Sequence, residues 1–87
     1  MKNKIIQAYK TFKKIYNEDL VILITTNNFK KLMKEYAYID NEFNNNQKCL
    51  LIEDDVIPLI INDKLSEHLE FQIIRQEDYN MTKELIK

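Results

Sequence analysis

Residues 20–36, LVILITTNNFKKLMKEY, decide the fold class. Leu20 to Ile24 is an unbroken aliphatic run of strand length, the pattern of a central strand covered on both faces. Thr25, Thr26 and Asn27 then supply an N-cap, and Phe29, Leu32, Met33, Tyr36 and Ile39 recur at helical spacing. A strand therefore passes directly into a helix expected to reach about residue 39. Upstream, Ile5, Ala8, Tyr9, Phe12, Ile15 and Tyr16 recur every third or fourth position and predict an amphipathic helix over residues 3–17, with lysines on its outer face.

Downstream, Asp40 to Lys48 holds three consecutive Asn and reads as an exposed loop. Cys49 to Ile52 and Val56 to Ile61 read as an antiparallel hairpin turning at Glu53-Asp54-Asp55. Pro58 cannot donate to a ladder, so its strand is expected at an edge or with a bulge. Leu69, Phe71 and Ile73 alternate with Glu70 and Gln72 as a half-buried strand, and Glu77 to Lys87 closes the chain as a short helix. The order α-β-α-β-β-β-α predicts one α+β domain spanning residues 1–87, a small mixed four-stranded sheet with helices packed on it. Its first two strands are expected to form a parallel βαβ unit. Ile22, Ile24, Leu32, Tyr36, Leu51, Ile60, Phe71 and Ile73 are the expected core.

The charge is sorted along the chain. Residues 1–34 carry eight Lys against Glu18 and Asp19, a balance of +6, while the remaining 53 residues carry five basic groups against twelve acidic ones, −7. The formal net of −1 thus hides two oppositely charged segments, which can meet each other, a second copy or outside partners of either sign. Lys outnumbers Arg twelve to one and Ile and Asn are abundant, as an A+T-rich coding sequence produces, which points to a low-GC bacterium or one of its phages. No apolar run approaches the roughly 20 residues that span a bilayer, so no membrane association and a cytoplasmic location in the bacterial host cell are expected.

The chain contains no glycine. Positive-φ positions must then fall to Asn or Asp, and Asn17, Asn41, Asn44 to Asn46 and Asn62-Asp63 stand where such breaks are needed. The same absence excludes glycine-rich phosphate loops. Cys49 and His68 are the sole Cys and His, too few for a zinc site, and Cys49 in an apolar strand reads as a buried reduced thiol. Glu53-Asp54-Asp55 has the density of a cation site, but three consecutive residues at a strand turn cannot all converge on one ion, and a charged tip that keeps a hairpin edge from aggregating is the commoner use. Asp63-Lys64 lacks the spacing of a strand-borne nuclease motif. No catalytic residue, metal ligand or cofactor is expected, and the chain reads as a non-enzyme.

Two surfaces remain. Glu53, Asp54, Asp55, Asp63, Glu67 and Glu70 are expected to cluster at loops and strand ends and to meet a protein partner with a basic surface, as an inhibitor or assembly component would. Lys10, Lys13 and Lys14 on the first helix and Lys30, Lys31 and Lys34 on the second would form a phosphate-binding footprint if coplanar, the alternative reading as a nucleic-acid-binding protein. The acidic pI of about 5.8 and the single Arg75 favour the protein partner.

From Leu20 through Tyr79, with TTNNFKKL opening a helix and CLLIEDDVIPLIINDKLSEHLEFQII following a polar loop, the chain resembles the central-domain segment of tailed-phage major capsid proteins. Leu50, Leu51, Ile57, Pro58 and Asp63 fill the places of that pattern; the family's usual Gly is missing, and the chain is far too small for a capsid subunit. The resemblance implies a phage-related origin and a protein-binding role, and assigns no site residue.

Overall fold

The computed structural model describes residues 2–36, 39–41, 47–65 and 69–85. Helix α1 (Lys2–Tyr16) leads into β1 (Leu20–Ile24), α2 (Thr26–Leu32), β2 (Ile39–Asn41), β3 (Gln47–Ile52), β4 (Asp55–Ile61), β5 (Gln72–Arg75) and α3 (Gln76–Leu85). The strands form one mixed sheet in the order β2-β3-β4-β1-β5. The α+β class, the mixed sheet and the four expected strands are present; a fifth, three-residue strand, β2, is added at one edge.

That extra strand explains where α2 ends. Thr25 caps the helix as its pattern predicts, its hydroxyl accepting from the Asn28 amide at 3.3 Å. After Leu32 the chain tightens into turn bonds, Glu35 N–H to Leu32 O at 2.9 Å among them, and then leaves helical geometry. The apolar spacing that suggested a helix to residue 39 does not hold to its end, because Ile39 pairs with β3 in the register Ile39↔Cys49, a long-range contact that local spacing does not report. Asn17, with φ 48°, ends α1 as its position predicts, its amide reaching back to Lys13 O at 2.9 Å.

β1 is buried along its whole length. Leu20, Ile22 and Ile24 face a core completed by Leu50, Ile52, Ile57, Leu59 and Ile73 and roofed by Ile5 and Tyr9 of α1 and Leu32 of α2. Val21 and Leu23 point to the opposite face and are 0% and 7% exposed. Of the expected core, Ile22, Ile24, Leu32 and Ile73 are buried, and Tyr36 and Phe71 pack at its margin. Leu51 is 42% exposed and Ile60 only half-buried, because the hairpin sits in the opposite phase: Leu50 and Ile57 face inward as a pair, so Leu51 and Val56 turn away.

Two topological expectations are corrected. The parallel neighbour of β1 is β4, in the register Ile22↔Leu59, and not the first strand of the hairpin. Pro58 consequently lies in an interior strand. The ladder tolerates it there because of where its nitrogen points. Asn62 N–H donates to Ile24 O at 2.8 Å, so even-numbered amides of β4 aim at β1, and Pro58 falls one residue before the parallel pairing begins at Leu59. The missing donor costs no bond inside the ladder.

Candidate functional site

Parallel β1 and β4 place the start of both strands at one end of the sheet, with the Glu53-Asp54 turn and the last residues of β5. α1 runs antiparallel to β1, so its first turns stand at the far end and its last turns at this one. That geometry sorts the charges. At the turn end Lys10 pairs with Glu53 at 2.8 Å, and Tyr9 donates its hydroxyl to Asp55 Oδ2 at 2.7 Å. At the far end Lys4 pairs with Glu70 at 3.0 Å, and Asp63 accepts from Thr26 twice, from the amide and the hydroxyl, each at 2.7 Å.

The acidic candidates are therefore not one surface. Glu53, Asp54 and Asp55 sit at one end and Asp63 and Glu70 at the other, while Glu67 lies outside the described residues, as does His68. Four of the five described carboxylates close internal contacts, and only Asp54 forms none among the described residues. Asp63 acts as a clamp from the end of β4 to the first turn of α2, and the two Thr26 donors hold its pKa below the usual carboxylate value, the amide contributing most. Glu70 is likewise lowered, first by the hydrogen bond from Lys4. Tyr9 moves upward, chiefly through burial and then through the hydrogen bond to the Asp55 carboxylate.

The lysine stripes are also divided. On α1, Lys10 is committed to Glu53, and Lys13 donates to Glu18 O at 3.0 Å. Lys14, Lys30, Lys31 and Lys34 are exposed and close no ion pair among the described residues. Cys49 is buried, and among the described residues no three His, Cys, Asp or Glu side chains stand close enough to hold a metal ion. No helix among them is long and apolar enough to cross a membrane.

What the charge pattern did not reveal is an apolar rim at the turn end. Ile15 is 68% and Tyr16 43% exposed, although their spacing placed both on the buried face of α1, and Met81 on α3 is 57% exposed. At about 100° per residue Ile15 stands off the line of Ile5, Tyr9 and Phe12 that meets the core, whereas Tyr16 follows that line and is partly covered by Phe12 and Arg75.

Arg75 ties the rim together. Its guanidinium holds Asp78 through two bonds of 2.8 and 3.0 Å, reaches Glu18 at 3.4 Å and lies 5.7 Å from the centre of the Tyr16 ring. Tyr16 in turn stacks on Phe12 with ring centres 5.8 Å apart. Two clefts flank this knot. One of about 270 Å³ is lined by Phe12, Tyr16, Ile73, Ile74, Arg75 and Asp78. The other, about 610 Å³, is polar and includes Asp19, Glu77 and Met81.

The chain matches no family model, no curated protein and no solved structure.

Proposed function

We propose that this chain is a small non-enzymatic protein-binding module of phage or mobile-element type, acting in virion assembly or by occupying a host protein. The observation that carries it is the pair Tyr16 and Met81, apolar side chains left in water at one end of a well-packed domain. Scattered exposed apolar residues such as Ile15 are ordinary on a protein surface; Tyr16 and Met81 each line one of two clefts that share a braced arginine, which suits a docking site. The uncommitted carboxylates at that end, Asp19, Asp54 and Glu77, favour a partner carrying basic residues. The A+T-rich composition and the capsid-like pattern support the phage origin.

A second reading rests on Lys14, Lys30, Lys31 and Lys34, exposed cations that close no ion pair among the described residues, and would make the helical side a nucleic-acid surface. Capture from a nuclease-treated lysate of a low-GC bacterium separates the two. Protein binding at the rim predicts a stoichiometric partner that survives nuclease, is lost with Tyr16→Asp and is retained when Lys30, Lys31 and Lys34 are replaced by Glu. The reverse pattern, with capture abolished by nuclease, would establish the nucleic-acid reading instead.

A further inference from the structure

β5 is the last strand of the sheet, so one of its two edges has no strand partner among the described residues. The ladder with β1 fixes which backbone groups face that edge. Gln76 N–H donates to Asp19 O at 2.8 Å, and in an antiparallel pair bonded and non-bonded positions alternate. With Leu20 opposite Arg75, the bonded pairs are Asp19–Gln76, Val21–Ile74 and Leu23–Gln72. The N–H and C=O of Ile73 and the N–H of Arg75 therefore point away from β1.

The cleft of about 270 Å³ lies against this same edge. It is lined by three consecutive residues of β5, Ile73, Ile74 and Arg75, and by Phe12 and Tyr16 of α1, with no residue of β1, which sets it on the side of β5 away from that neighbour. Its wall is the Phe12–Tyr16 stack, apolar and partly exposed. Where β5 ends, Asp19 and Glu77 line the neighbouring cleft and form no ion pair among the described residues, whereas Arg75 is already held by Asp78 and Glu18. Lys13 lines that cleft too, its ammonium bonded among the described residues only to the Glu18 carbonyl at 3.0 Å, so two unpaired carboxylates face one unpaired cation there and the balance is negative.

We propose that the outer edge of β5 accepts an extended segment of a partner protein as an added strand, with an apolar side chain in the Phe12–Tyr16 cleft and a basic residue directed to Asp19 and Glu77. This rests on the protein-binding reading and deepens it: the backbone edge supplies hydrogen bonds, the cleft an anchor, and the carboxylates the sign of the flanking charge. The short length of β5 limits the added strand to a few bonds, so a short peptide binds weakly and the natural segment gains from contacts beyond the edge.

The test uses the full chain and two synthetic peptides, one alternating valine and threonine with a lysine at each end, the other identical but N-methylated along one backbone edge. Site-resolved amide exchange in the free protein should show Ile73 and Arg75 exchanging quickly beside a protected Ile74. The unmethylated peptide should slow exchange at Ile73 and Arg75 and bind about tenfold more tightly than its methylated twin, a difference of about 1.4 kcal/mol. Tyr16→Ala should reduce that binding while Ile74 stays protected, which shows the sheet to be intact. Equal binding of the two peptides, or protection of Ile73 and Arg75 before any peptide is added, would overturn strand addition. So would protection that grows with protein concentration alone, since the occupant would then be a second copy. A natural partner that is captured yet leaves these amides and the Tyr16→Ala variant unaffected overturns strand addition and leaves the protein-binding function standing; absence of any captured protein overturns that function.

Discussion

Leu50 and Leu51 are adjacent, chemically identical and opposite in fate, and alanine at each in turn tests the phase of the hairpin. Leu50 is 1% exposed and belongs to the core with Ile57, Leu59 and Ile22, whereas Leu51 is 42% exposed beside Val56. Leu50→Ala removes buried methyl groups and leaves a cavity, a loss of about 2–5 kcal/mol. For 87 residues the total stability is about 4–13 kcal/mol, so the variant forfeits a large fraction of it. Leu51→Ala opens no enclosed cavity and should cost about 1 kcal/mol or less. In urea, with a slope of about 1–1.5 kcal/mol per molar for a chain this short, a loss of about 3 kcal/mol moves the midpoint by about 2–3 M. Circular dichroism at increasing urea reads both variants directly. Equal shifts, or the larger shift at Leu51, would refute the assignment, because a one-residue slip exchanges the faces of every side chain in the strand.

Glu53 holds φ 56° without being glycine, so Glu53→Gly should raise stability by about 0.5–1 kcal/mol in the same urea assay, the loss of its exposed pair with Lys10 being a minor offset. Tyr9 has a folded pKa raised above its ordinary 10.0, so its contribution is complete below that value and is lost as the pH climbs beyond it; Tyr9→Phe should flatten the alkaline decline of the unfolding midpoint. Asp63 is shifted the other way. Its stabilisation is present above the ordinary carboxylate pKa and disappears as the pH falls through the lowered folded value, so Asp63→Asn should lower the midpoint at neutral pH and converge with the parent in acid.

Sequence pattern reached as far as local physics does. The run Leu20 to Ile24 has no polar residue to expose and could only be a strand buried on both faces, and Asn17 was the residue able to take a positive φ where α1 stops. Cys49 to Ile52 is apolar throughout, so alternation could not tell Leu50 from Leu51; the tertiary partner sets that phase. β2 escaped because Ile39 is its one apolar residue, too little for a strand pattern, and its pairing with β3 is set by a long-range contact. The acidic candidates were legible as charges and not as a site, because Lys4, Tyr9, Lys10 and Thr26 reach them only through the fold. The exposure of Ile15 was open to a helical wheel, on which it stands off the line of Ile5, Tyr9 and Phe12.

A photo-cross-linking side chain placed alternately at Met81 and at Lys30, in a lysate of a low-GC bacterium, tests most directly whether this chain works by holding a protein at the rim. Both positions are exposed, so the substitution leaves the core intact. Binding at the rim predicts a discrete protein adduct from position 81, suppressed by Tyr16→Asp, and none from position 30. Adducts from position 30 alone, to protein or to nucleic acid, would contradict it.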